Sequence, residues 1–214
     1  IMSNVIGTQN LLEAARKQKV SRFLFASTVY VYSELGSFYR VSKQACEKII
    51  EEYQREFDLD YTILRFGSLY GPRANEFNGI QVYLTQALKN KKIVSPGDGE
   101  QIREFIHVKD AALLSKDSLD EKYKNSHLII TGNQQIKVKD LLIMIKEILR
   151  GEIEIEIGPK EKLDHYNITP YNYKSQVAKR ITPRTHYDLG QGLIDQIYNM
   201  EIIMSKENSS KNIS

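Results

Sequence analysis

Apolar positions along the chain switch repeatedly between a helical and a strand-like period. A helical pattern over residues 4–17 gives way to an apolar strand-like run at 22–27, which polar Ser27 and Thr28 end. A second helical pattern covers 39–57, and Asp60-Tyr61-Thr62-Ile63-Leu64 reads as a second strand. Residues 80–90 read as a helix running into the basic stretch 89–92. His127-Leu128-Ile129-Ile130 is a third strand, and 136–150 a helix with Val138, Leu141, Leu142, Ile145, Ile148 and Leu149 on its apolar face. Helices alternating with strands predict an α/β fold built on a doubly wound parallel sheet.

Beyond this, Glu152-Ile153-Glu154-Ile155-Glu156-Ile157 alternates strictly and predicts a strand with one wet acidic face. Gly158-Pro159 ends it, and the stretch up to Leu189 is rich in Tyr, His, Pro and Asn, a composition suited either to sugar or base contacts or to a packed irregular loop. The polar segment from Lys206 to Ser214 lacks apolar periodicity, so residues 203–214 are expected to form a disordered tail.

Chemistry enters at Tyr39 and Lys43. With 13 Tyr and 20 Lys in 214 residues, about one Tyr-x-x-x-Lys pair arises by chance, so the pair gains meaning only from its place at the start of a helix just after a strand ending in Thr28. One turn apart, the two side chains share a helix face. An ammonium ~5 Å from a phenol stabilises the phenolate by roughly 3 kcal/mol at an effective dielectric near 20, enough to bring a tyrosine from ~10 toward neutrality. A phenol so tuned can take a proton from a sugar hydroxyl and return it, while Thr28 hydrogen-bonds the same oxygen. A surface Tyr and Lys on an amphipathic helix is the plain alternative.

At these residues the chain resembles the extended short-chain dehydrogenase/reductase family, in its nucleotide-sugar epimerase and dehydratase branch, over roughly residues 3–200. Asn4-Val5-Ile6-Gly7-Thr8 with Asn10-Leu11-Leu12-Glu13-Ala14-Ala15 resembles the helix before the catalytic strand, and Phe25-Ala26-Ser27-Thr28 with Val31-Tyr32 the strand itself. Tyr39-Arg40-Val41-Ser42-Lys43 resembles the family's Tyr-x-x-x-Lys, and the run from Leu64 through Phe66-Gly67-Ser68-Leu69-Tyr70 to Arg73 the next strand and the loop closing over nicotinamide and sugar. The segment from Gly97 through Arg103 to Asp110 resembles the one whose Arg holds the nucleotide diphosphate. The resemblance implies a Rossmann domain with NAD, or NADP in its place, as cofactor and a nucleotide-diphosphate sugar as substrate. It implies Thr28, Tyr39 and Lys43 as catalytic residues. Asn4, Ala26, Ser27, Tyr39, Lys43, Phe66, Ser68 and Leu69 would lie on the cofactor, and Thr28, Ser68 and Arg103 on the substrate. Arg103 has a second reading, as an ion-pair partner of Glu100 or Glu104; Lys179, Arg180 and Arg184 are further phosphate candidates.

The implied domains are residues 1–72 with 104–131 as a partial NAD-binding domain, and 73–103 with 132–202 as a small α/β substrate-binding lobe. No Gly-rich strand-turn-helix fingerprint occurs in the chain, and it opens at Ile1 on what resembles a later helix of the family. The expectation is therefore a fragment lacking about three strand–helix units. Two further departures bear on the substrate. Tyr39 follows Thr28 by only eleven positions, where a longer loop is usual in the family, and Ser68 stands where relatives commonly carry Asn. Family dehydratases and decarboxylases place acids just after the Ser/Thr; here those positions are Val29 and Tyr30. That leaves oxidation and reduction at one carbon: a 4-epimerase acting on a UDP-hexose, or a ketoreductase with the same triad. A non-catalytic binding protein on the same fold is the reading from a different class.

Composition narrows the setting. A net charge of +3, with bases interspersed among acids, gives no basic face for nucleic acid. The single Cys46 precludes an internal disulfide framework, suits a cytoplasmic compartment and reads as a packed small residue. No run approaches the ~20 apolar residues of a membrane span. The four His, at 107, 127, 165 and 186, lack metal-ligand spacing, and His107 is expected to pack or cap beside its strand. The resemblance also implies polysaccharide biosynthesis and a homodimer through helices 4–17 and 39–57, with Leu11, Leu12, Ala15, Ala45, Ile49 and Tyr53 either as its contacts or as ordinary core.

Overall fold

The computed structural model describes residues 2–33, 36–158, 179–183, 185 and 187–211. Helix α1 (Met2–Lys17) leads into strand β1 (Phe23–Thr28), a single 3-10 turn (Val29–Tyr32) and helix α2 (Ser37–Phe57). Strands β2 (Tyr61–Phe66) and β3 (Ser68–Tyr70), helix α3 (Gly79–Asn90) and strand β4 (Lys92–Ser95) follow. The chain continues through β5 (Ile102–His107), α4 (Val108–Asp117), β6 (Ser126–Ile130), β7 (Gln135–Lys137), α5 (Val138–Ile148), β8 (Glu154–Ile157), β9 (Lys179–Ile181) and α6 (Leu189–Lys211).

Four parallel strands in the order β1-β2-β6-β9 form the central sheet. Every residue of β2 from Tyr61 to Arg65 is buried, because both faces are covered, as a doubly wound sheet requires. Tyr61 and Ile63 pack on one face with Leu12 and Ala15 of α1 and Cys46 and Ile50 of α2; Leu64, Leu128 and Ile130 pack on the other with Ala111 and Leu114 of α4. A third core joins Leu84 of α3, Leu141, Leu142 and Ile145 of α5, and Leu193 and Ile197 of α6. The register places Thr28 beside Phe66 and Phe66 beside Ile130, so the carboxyl ends of three strands form one rim. In open α/β sheets that rim is where ligands sit.

The pattern-based elements are present with shifted ends, and two readings change. The helix predicted over 136–150 begins at Val138, because Ile136 is buried in β7, which pairs antiparallel with β5. The predicted tail continues α6 as far as Lys211, residues 212–214 lying outside the described set; the helix starts on Leu189, Leu193 and Ile197, which anchor it in the third core. The acidic alternation forms β8, whose Glu156 pairs with Lys92 at 2.6 Å, and Glu152 just before it faces Lys91 at 3.8 Å: the acids meet the basic stretch after α3. The central sheet also takes in β9, from a stretch without a strand pattern of its own.

Candidate active site

Thr28 closes β1, and its Oγ1 accepts the Tyr30 backbone N–H at 3.3 Å, capping the 3-10 turn. Gly36, at the N-terminus of α2, has a φ of 97°, and a Cβ there would come within 2.7 Å of the Tyr30 ring. Tyr39 thereby enters in the first turn of α2, half-exposed, with its ring edge-on to Tyr30 at 6.5 Å. Lys43 follows one turn later, its Nζ donating to the Ala26 carbonyl at 2.8 Å and lying 4.7 Å from the centre of the Phe25 ring.

The expected tuning of Tyr39 by Lys43 is not what this arrangement produces. Burial pushes the Tyr39 phenol above its ordinary value, with a hydrogen bond from Thr28 opposing it, while burial pushes Lys43 down against the charges of Cys46 and Glu47. The reason is geometric: the ammonium is turned to the strand-edge carbonyl of Ala26 and stands 5.9 Å from the centre of the Tyr39 ring.

The remaining predicted residues divide. Phe66 and Ser68 line a cavity of about 380 Å³ with Thr28, Val29, Tyr30, Tyr83, Gln101 and Arg103, and Arg103 is the one charged residue among its described lining. Arg103 sits on β5 with Nη1 donating to the Ile102 carbonyl at 3.0 Å, whereas the carboxylate of Glu100 is taken up by Lys137 and Lys139 at 2.8 and 2.5 Å. Ala26 is exposed at the sheet edge, but the side chain of Ser27 points inward and donates to Glu47 at 2.5 Å. Asn4 donates to Ser42 at 2.9 Å, and Ser42 to the Tyr39 carbonyl at 2.8 Å, so Asn4 ties α1 to α2. Leu69 packs with Leu64 and Ile106 away from the cavity. Lys179 and Arg180 lie in β9, but their side chains, and all of Arg184, His165 and His186, fall outside the described residues.

Cys46 is buried, its Sγ donating to the Asn4 carbonyl, and His107 caps α4 by accepting the Lys109 N–H at 3.3 Å; both are the packing roles their surroundings predict. The pattern-based reading missed Glu47 and Arg65, a buried ion pair behind Thr28. The available signal was Arg65 itself, a charge within an otherwise apolar strand, which requires a partner.

The site thus has Thr28 at the carboxyl end of β1, Tyr39 and Lys43 beside it in the first turns of α2, and, next to Thr28, a cavity whose described lining holds one charged residue, Arg103: an α/β fold with polar groups gathered at the carboxyl rim of its parallel sheet. The model of the NAD dependent epimerase/dehydratase family matches residues 1–128, and the chain belongs to that family. It is 33% identical over 168 residues to a Methanocaldococcus jannaschii protein provisionally named a UDP-glucose 4-epimerase, covering 70% of this chain and 54% of that one. It is 29% identical to the uncharacterized UDP-glucose epimerase YtcB of Bacillus subtilis, over 92% of this chain and 64% of the relative. The chain therefore spans between half and two thirds of these relatives. The solved UDP-glucose 4-epimerase of Thermotoga maritima shares the fold, with a TM-score of 0.81, 24% identity, and coverage of 95% of this chain and 71% of that one. Among the described residues, no helix is long and apolar enough to cross a membrane.

Proposed function

We propose that this chain carries the substrate site and proton-transfer residues of an NAD-dependent nucleotide-sugar 4-epimerase acting on a UDP-hexose. The observation that carries the reading is the cavity itself: Thr28 at its rim beside half-exposed Tyr39, Val29 and Tyr30 in place of acids, and Arg103 as its cation. In this reading Thr28 holds the sugar hydroxyl, Tyr39 removes its proton and later restores it, and Arg103 grips the diphosphate with its guanidinium fork. Ser68, a shorter donor and acceptor than Asn, shapes the sugar pocket.

The donor set fits the nicotinamide end of the cofactor. An ammonium has three N–H groups, and Lys43 directs one to Ala26 beside the exposed sheet edge, leaving donors for a ribose. NAD supplies a hydride acceptor that gives the hydride back. Lys43 would hold the ribose with those remaining donors, and its ammonium on the Tyr39 side would favour the phenolate. The family's dehydratase and decarboxylase members, such as the Actinoplanes dTDP-glucose 4,6-dehydratase at 32% identity, keep a neighbouring chemistry in view, and the apolar Val29 and Tyr30 speak against it. We place the enzyme in the cytoplasm, as a homodimer through α1 and α2, in nucleotide-sugar supply for polysaccharides.

Incubating the natural polypeptide that contains this sequence with NAD and UDP-glucose in D2O tests the reading by NMR. UDP-galactose without deuterium at C4 or C5 is expected. A 4-keto-6-deoxy product, or no product with any UDP-hexose, contradicts it.

A further inference from the structure

Behind the candidate site, α2 and β2 share an ion pair that the proton transfer leaves unused. Glu47 and Arg65 are 4% and 5% exposed. Arg65 donates through Nε and Nη2 to the two carboxylate oxygens of Glu47, at 3.0 and 2.6 Å, and through Nη1 to the Tyr32 hydroxyl, with its guanidinium 4.7 Å from the centre of the Tyr32 ring. Ser27 Oγ donates to the same carboxylate at 2.5 Å.

The partners are the neighbours of the candidate catalytic groups. Ser27 precedes Thr28, Tyr32 ends the turn that Thr28 caps, and Glu47 stands one helical turn after Lys43. A buried ion pair contributes little net stability, since desolvation offsets the attraction and apolar pairs often hold a fold as well. A bidentate fork with further hydrogen bonds does something apolar contacts do not: it fixes direction at each end.

We propose that Glu47 and Arg65 are positioning residues, which lock the end of β1 and the 3-10 turn onto α2 so that Thr28 and Lys43 face Tyr39 in a single arrangement. The inference rests on the reading of Tyr39 as the proton-transfer group. It has an electrostatic side too. Lys43 is faced by Tyr39, Cys46 and Glu47 from its own helix and by the Phe25 ring and Ala26 carbonyl from β1; burial lowers its pKa, and the charges of Cys46 and Glu47 resist this.

The test follows the titrations of Lys43 and Tyr39 in the full chain by NMR of 13C-labelled Lys and Tyr, assigned with Lys43→Arg and Tyr39→Phe. Three variants are compared: Glu47→Gln, the apolar pair Glu47→Leu with Arg65→Met, and Ser27→Ala. The expected result is that the apolar pair melts close to the parent while its Lys43 midpoint falls by about half a pH unit or more and the Tyr39 midpoint moves. Glu47→Gln, where it folds, shows the same fall. A folded apolar-pair variant in which both groups titrate as in the parent overturns the proposal. So does failure of both Glu47 variants to fold with an unaltered titration in Ser27→Ala, which would leave the pair a folding element only. These titrations need neither cofactor nor sugar, so a chain that shifts as expected yet never converts a UDP-hexose refutes the epimerase reading and not the positioning role.

Discussion

Arg103 and Leu12 show how differently single side chains are bound into this molecule. Arg103 faces the cavity as its cation, and charge-assisted hydrogen bonds to a diphosphate contribute ~1.5–3 kcal/mol. Arg103→Ala should weaken UDP binding by about tenfold or more in isothermal titration; equal affinity would remove Arg103 from the diphosphate. Leu12, fully buried between α1, α2 and β2, should by contrast cost ~3 kcal/mol of unfolding free energy when changed to Ala, read by denaturant titration. Its neighbour Leu11 is 62% exposed on the single chain, and Leu11→Ala should leave the unfolding free energy of the monomer within about 0.5 kcal/mol. Leu11, Leu12 and Ala15 read as partner contacts or ordinary core alike; the structure sends Leu12 and Ala15 into the core and leaves Leu11 outside. Adjacent helix positions differ by 100° in direction, and motif matching does not register that.

Elements were legible in proportion to how much of their stabilisation is local. The alternation of β8 and the amphipathic face of α5 are written in consecutive residues, as is the Thr28, Tyr39 and Lys43 set, whose members lie on one strand and the helix after it. Strands β3, β7 and β9 are three residues each, too short for periodicity, and exist because β5 and β6 offer them an edge. The Glu47–Arg65 pair joins residues 18 apart and was likewise invisible to local pattern. The junction of β5 and α5 makes an electrostatic prediction. Lys137 and Lys139, through their hydrogen bonds, hold the Glu100 carboxyl at about 2 against an ordinary 4.5. Because the folded value is depressed, this stabilisation is full above pH 4.5 and is lost as pH falls toward 2. Glu100→Gln should therefore flatten the acid limb of stability between those values. Parent and variant losing stability in parallel from pH 6 to pH 3, in urea titrations, would show the ion pairs to be inert.

At the scale of the molecule, the central sheet brings its strand ends to one rim, and the third core seats α3, α5 and α6 beside it, so the cavity is walled by residues from 28 to 138 in sequence. The exposed Ile6 and Leu11 of α1 lie on the helix proposed to meet a second copy. Sedimentation should report a dimer at micromolar concentration and a monomer for Leu11→Glu; a monomeric parent would remove the homodimer.

The central claim is that Tyr39 moves the proton of a sugar hydroxyl held by Thr28. Its most direct measurement is the rate of UDP-glucose conversion, in the natural polypeptide with NAD, for Tyr39→Phe beside UDP affinity and melting temperature. Losing the proton carrier should cost at least ~100-fold in kcat, the usual worth of general acid–base catalysis, with UDP affinity and melting temperature unchanged. A Tyr39→Phe enzyme that converts UDP-glucose at the parent rate would contradict the account.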